Sequence, residues 1–184
     1  MAKESEFVDV AHRIARRVLP RRLNVARGAA LLYQVTVDNN LSLSVDVREP
    51  KRGQSAFQTD LCVFEKRGTI QLPRVVLEFK TRITTHDILT YSAKARKHKQ
   101  VYPYLRYGLV ASEELSVPGR LFTHNEALDF CVALGGVARA KLSMVLGRLL
   151  KAEVRTSRKL EGIAFGDGGV RQFRNEVIVK RDGG

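Results

Sequence analysis

At 184 residues the chain fits a single domain, and with 44% hydrophobic residues it can bury a core without disulfides or a structural metal. Thirty-two lysines and arginines stand against 19 acids, a formal net charge of +13 and a pI near 10.2, which favours polyanionic partners, nucleic acid before anionic membrane. The apolar runs are too short to span a bilayer, and the opening MAKESEFVDVAHRIARRVL carries charges throughout, so the sequence predicts no membrane segment, no secretory signal and an intracellular, cytoplasmic protein, nucleoid-associated in a prokaryote.

Phe7, Val10, Ala11, Ile14 and Val18 fall on one face of a predicted first helix that Pro20 ends. Period-two patterning follows. Leu31–Val37 and Leu41–Val47 read as two strands of a hairpin around the turn Asp38-Asn39-Asn40, and a polar loop follows from Glu49 to Ser55. Phe57–Phe64 is a third strand, Lys66-Arg67-Gly68 a turn, and Arg74–Lys80 a fourth, strongly apolar strand. A helix is predicted over Thr85–Val101, with Pro103 beyond it, then strands at Tyr107–Ala111 and Leu121–Thr123. Asn125 suits the N-cap of a helix ending at Gly135-Gly136, and a last helix places Leu142, Val145, Leu146 and Leu149 on its apolar face. Gly166–Gly169 reads as a turn and Val177–Val179 as a short closing strand. Cys62 and Cys131 are far apart in apolar patterns, so they read as core residues and not as a zinc or disulfide pair. The expected architecture is one α/β (α+β) domain over 1–184 with a mixed central sheet flanked by helices: a core at about 4–111 and a C-terminal helical extension at about 125–184.

Within the fourth strand, Glu78 and Lys80 are two residues apart and share a face, opposite Val75, Leu77 and Phe79. A carboxylate and an ammonium in so apolar a strand need compensation. The preceding strand, joined by a short turn, brings Asp60 beside Glu78 if the two pair antiparallel. Two adjacent carboxylates repel, and a divalent cation relieves that repulsion; oxygen-only ligands suit magnesium. Such an ion polarises a phosphoryl oxygen and acidifies bound water, while Lys80 orients that water and offsets phosphate charge. Asp46 is the second candidate for the first carboxylate, and a structural salt bridge between Glu78 and Lys80 on a solvated sheet face is the competing reading.

Thr59-Asp60, seventeen residues, then Glu78-Phe79-Lys80 resembles the PD-(D/E)xK nucleases, with the restriction-endonuclease-like fold. The order of helix, strands carrying D and then ExK, helix and strand extends the resemblance from about Glu4 to Ala111; Thr59 stands where the family often has proline. The resemblance implies a magnesium-dependent phosphodiesterase, with manganese as a substitute. It implies that Asp60, Glu78 and the carbonyl of Phe79 are metal ligands and that Lys80 is the catalytic lysine. It also implies a first-helix glutamate, Glu6 or failing that Glu4, near the metal, although acids in a first turn also complement the helix dipole. Gln100 and Tyr104 match the letters of the Q-x-x-x-Y found in some branches, with Pro103 between them.

The basic run on the following helix, Lys94, Arg96, Lys97, His98 and Lys99, with Gln100 beside it, is expected to contact DNA phosphates, and Thr81 and Arg82 to grip phosphates flanking the cut. Tyr102, Tyr104 and Tyr107 either stack on bases or pack. Three functions follow: an endonuclease on double-stranded DNA of restriction, repair or recombination type; a structure-specific nuclease such as a junction resolvase; or a non-catalytic nucleic-acid-binding protein. Backbone symmetry of the duplex favours a homodimer, with the C-terminal helices as its expected surface.

Overall fold

A computed structural model describes residues 2–166, 168–174 and 176–180. The apolar stripe of the first segment forms α1, Ala2–Val18. Strands β1 (Leu23–Arg27), β4 (Leu61–Arg67), β5 (Ile70–Lys80), β6 (Arg106–Ala111) and β7 (Phe130–Ala133) make one five-stranded sheet in the order β1-β4-β5-β6-β7. The pairs β1–β4 and β4–β5 are antiparallel, whereas β5–β6 and β6–β7 are parallel. Helix α2, Thr85–Val101, is the crossover that a parallel β5–β6 pair requires. A second sheet pairs β2 (Ala30–Leu32) with β3 (Ala56–Gln58).

Both faces of the main sheet are covered, which is why β5 reads as a nearly unbroken apolar run. Val63, Val75, Leu77 and Phe79 pack against Val8, Ala11 and Ala15 of α1 and Leu142, Leu146, Leu150 and Val154 of α4 (Arg139–Phe165). The other face, with Cys62, Val76, Tyr107 and Leu109, packs against Ile88 and Ala95 of α2. Cys131 lies partly buried at the edge of this second core.

Several expected elements differ. The strand predicted at Leu31–Val37 stops at Leu32, and its partner is β3 rather than 41–47. Of the predicted hairpin only the bridge Val37–Leu43 and the turn remain, the Asp38 carboxylate accepting from the amides of Asn40 at 2.8 Å and Ser42 at 3.0 Å. Val37, Leu41 and Leu43 alternate as a strand should, but no second layer covers them and all are exposed. Phe57–Phe64 is not one strand either. The chain changes sheets at Thr59-Asp60, where Thr59 donates twice to the Ala29 carbonyl and Gly28 N–H donates to the Asp60 carbonyl. Gly28 holds a left-handed φ of 61° at this corner, a conformation that suits glycine. Strand β1 carries only five residues and gave no turn-bounded pattern of its own; it is defined by its pairing with β4.

Leu121–Thr123 lies in a short helix, α3 (Arg120–His124), started by the Pro118-Gly119 turn. The helix expected after Asn125 does not form. Asn125 closes a loop instead, its amide exchanging bonds of 2.8 and 2.9 Å with Leu128, and Phe130–Ala133 pairs with the open edge of β6. Gly108 makes that pairing possible, because a Cβ there would stand 2.3 Å from the Phe130 ring. Residues Val177–Val179 are exposed and form no strand. Asp167, within the predicted glycine-rich turn, lies outside the described residues. Among the described residues no helix is long and apolar enough to cross a membrane.

Helix α4 is tied to the sheet by charge as well as by leucines. The fully buried Arg74 of β5 donates to Glu65 of β4 at 2.9 Å and to Glu161 of α4 at 2.7 Å, with its guanidinium 5.2 Å from the Tyr104 ring centre. Arg158 and Arg67 complete the cluster on the same two acids. Without the central cation Glu65 and Glu161 keep only Arg158 and Arg67, and the link between the two acids is lost; one-sided disruption of a fully buried pair costs about 3–5 kcal/mol, an upper bound here. Arg74→Ala is therefore expected to lower the urea midpoint strongly, while Arg67→Ala, on an exposed side chain, shifts it little.

Candidate active site

The site forms where β4 begins and β5 ends. The register Leu61–Leu77 sets Asp60 across from Glu78. The Asp60 amide donates to Glu78 Oε2 at 3.3 Å, and Asp60 Oδ2 accepts from the Phe79 amide at 2.8 Å. The N–H and C=O of one strand residue point to the same edge. The Phe79 carbonyl therefore faces the Asp60 side, whereas the Lys80 carbonyl is taken by Ser112 N–H of the loop after β6 at 2.8 Å. Two carboxylates thus meet at one strand end, and the Phe79 carbonyl faces the same strand edge as Asp60. That donor set fits a hard divalent cation that retains several waters, as magnesium does.

The other sheet face is not solvated as a simple salt bridge would require. Helix α2 covers it, and Glu78 is only 2% exposed. Tyr107 of β6 donates its hydroxyl to Glu78 Oε1 at 2.5 Å. Burial, then the charge of Asp60, pushes the Glu78 carboxyl up from 4.5 to about 8, and the Tyr107 hydroxyl and Lys94 oppose that rise only in part. Lys80 turns away from Glu78: its Nζ lies 3.1 Å from Glu4 Oε1 and 5.7 Å from the centre of the Tyr91 ring. Partial burial works against the Lys80 charge, but Tyr91 and Glu4 prevail and raise its pKa, so the ammonium is retained. Lys94 Nζ sits 4.9 Å above the Tyr91 ring and 5.8 Å from that of Phe57. Burial and the nearby Glu78 raise the Tyr91 hydroxyl to about 12, keeping it a neutral donor.

The sequence expectations divide here. Asp60, Glu78 and Lys80 come together, and Lys94 joins them. The first-helix acid at Lys80 is Glu4, and Glu6 does not take that place: two residues on, about 200° around the helix, its side chain leaves from the opposite side of α1, and Glu6 is exposed at the groove between α1 and α4. Asp46 does not join the pair either, because its carboxylate accepts from the amides of Arg48 and Glu49 in an exposed loop. The basic run of α2 splits by helical phase. Arg96 pairs with Glu126 on the surface, Lys97 and Gln100 border a groove with Tyr33 and Gln34, and Lys99 turns inward to Asp129 at 2.7 Å. Lys99 is therefore unavailable as a free phosphate contact. His98, expected on DNA, is fully buried: Nδ1 meets the Leu32 carbonyl at 2.9 Å and its ring stacks on Tyr107. Tyr104 packs against Arg74 and Phe165, so the Gln100–Tyr104 match does not bring its tyrosine to the Asp60–Glu78 pair. Arg82 is exposed just beyond β5.

Two contributors escaped the sequence reading, Tyr91 and Tyr107. Helical spacing does place Tyr91, Lys94 and His98 on one face of α2, a signal present in the sequence. Tyr107 needed the parallel register, which sets it beside Val76, on the Glu78 side of β5. Compared with known proteins, the chain matches no family model and no curated protein.

Glu78 gives the site a defined pH response. Between 4.5 and about 8 the folded chain holds a proton that the unfolded chain releases. The metal-free protein is therefore expected to lose stability as pH rises through that window, and Glu78→Gln should flatten the loss. A divalent cation needs the ionised carboxylate, so magnesium should raise the melting temperature more at pH 8 than at pH 6. Tyr107→Phe removes a bond that favours the ionised form and should move the onset of magnesium stabilisation to higher pH. Melting curves across pH, with magnesium and with chelator, check all three outcomes.

Proposed function

We propose that the chain is a magnesium-dependent DNA endonuclease on a restriction-endonuclease-like core, with Asp60, Glu78 and Lys80 as its active residues. One observation carries this reading: Asp60 faces Glu78 across β4 and β5, with Lys80 two residues further on and a buried carboxyl whose charge the Tyr107 hydroxyl and Lys94 offset only in part. Asp60, Glu78 and the Phe79 carbonyl would hold the ion, and manganese would substitute for it. When bound, the ion supplies Lewis-acid polarisation of a phosphoryl oxygen and an acidified water.

The protein residues perform the remaining work. Tyr107 and the Asp60 amide hold the two Glu78 oxygens in fixed positions, and the Phe79 amide does the same for Asp60. Lys80, kept protonated and steered by Glu4, donates to the attacking water and to the phosphate. Hydrolysis forms a new P–O bond from water and breaks one P–O bond to sugar, and a proton reaches the leaving oxygen. Arg82, Lys94 and Lys97 supply positive charge for the flanking phosphates. One chain carries one such site, so cutting both strands calls for a homodimer or for two successive nicks. The apolar face of α4 is buried against its own sheet, so a symmetric contact would use another surface.

The test is incubation with supercoiled plasmid in magnesium, manganese or EDTA. Wild type is expected to cleave only with metal. Lys80→Ala, Asp60→Asn and Glu78→Gln are each expected to lose at least a hundredfold in rate, about 2.7 kcal/mol of barrier, while retaining their circular dichroism. Cleavage persisting in excess chelator, or in the Lys80 variant, would contradict the proposed mechanism.

A further inference from the structure

Helix α4 carries a second charged surface that the catalytic reading does not use. Lys141, Arg148, Lys151, Arg155 and Lys159 are all exposed. At 100° per residue they fall within an arc of roughly 80°, along about 27 Å of helix. The opposite face holds Leu142, Leu146, Leu150 and Val154 in the core. Both acids within α4 also point inward: Glu153 to Arg106 at 2.7 Å and Glu161 to Arg74 at 2.7 Å. The outward face is therefore cationic without interspersed acids, and none of its five cations has a carboxylate partner among the described residues. Arg13 of α1 and Arg139 border the groove at the start of α4 and extend the positive field; of the acids there Asp9 pairs with Arg27, and Glu6 is exposed.

An ordinary solvated helix face mixes signs, because like charges three or four residues apart repel and opposite ones attract. Lys151–Arg155 and Arg155–Lys159 are both repulsive pairs at four-residue spacing. A polyanion offsets that repulsion. From Arg148 to Lys159 one cation follows another about every 4.5–6 Å along the helix, with Lys141 about 10 Å before them, and such a row suits an extended phosphate backbone. An anionic membrane suits it less, since an interfacial helix inserts its apolar face, and here that face is sealed in the core.

We propose that the outer face of α4 binds the backbone of a nucleic-acid duplex, independently of base sequence, as a site separate from the Asp60–Glu78–Lys80 centre. The centre lies on the far side of the α1 and α4 layer, at the end of β5 where α1 begins. A chain using both sites would hold two duplex segments, or two arms of one branched DNA. This inference needs no cleavage and stands whether or not the centre is a nuclease.

The test uses wild type and a variant carrying Arg148→Gln, Lys151→Gln, Arg155→Gln and Lys159→Gln, both in EDTA and both also with Glu78→Gln. All four positions are exposed, so equal melting temperatures verify the fold. Binding of a short fluorescent duplex of arbitrary sequence is titrated against salt, and the number of duplexes held per chain is counted at low salt. The variant is expected to hold one duplex fewer per chain, and its slope of log affinity against log salt should fall by about three to four. If the centre binds no DNA, the count falls from one to zero; if it does, from two to one. An unchanged count and slope overturns the proposal. Capture of wild type but not variant by phosphatidylserine vesicles, with DNA binding unaltered, overturns it in favour of a membrane.

Discussion

The antiparallel pairing of β4 with β5 is the contact on which the candidate site depends. It aligns Leu61 with Leu77 and so sets Asp60 opposite Glu78. A slip of one residue would turn Asp60 to the other face, into the core beneath α1 and α4. What prevents the slip is apolar. Val63, Val75, Leu77 and Phe79 must all meet α1 and α4, while Cys62 and Val76 meet the layer under α2. The polar constellation is thus held in register by residues that have no part in its chemistry.

Burial then gives the site its character. Had α2 been absent, Glu78 and Lys80 would form a solvated pair of little consequence. With α2 in place, Glu78 is enclosed by Tyr107, Asp60 and the Tyr91–Lys94 side of the helix, and its lysine neighbour bonds to Glu4 instead. Burial and the neighbouring Asp60 thus hold this carboxyl protonated up to near neutral pH. Tyr107 links this acid to the rest of the fold, because its ring stacks on His98, and His98 in turn holds the Leu32 carbonyl of the second sheet.

Charge is distributed unevenly over the molecule. Arg74, Arg106, Arg158 and Lys99 are used internally, joining α2, α4 and the sheet through Glu65, Asp129, Glu153 and Glu161. These pairs engage both acids of α4, and among the described residues its outer cations have no carboxylate partner. The excess of lysine and arginine in the composition therefore becomes a directional feature on the surface.

How far the sequence alone reached follows from the range of the forces involved. Helices α1 and α2, the apolar β5, the turn at Asp38 and the Glu78–Lys80 pair were legible because they rest on periodicity, turn chemistry and spacing within a few residues, and Asp60 was within reach because one short turn joins its strand to β5. The same alternation misread 33–47 as a hairpin, since alternation reports a face without reporting whether anything covers it. Phe130–Ala133 was equally ambiguous: four apolar residues suit a helix or a strand, and the free edge of β6 together with the missing side chain of Gly108 decided for the strand. The choice of Glu4 over Glu6, the inward turn of Lys99 and His98, and the bond from Tyr107 to Glu78 were settled only by tertiary structure. Each depends on which face of one element meets another distant in sequence, and local pattern holds no information about that distance.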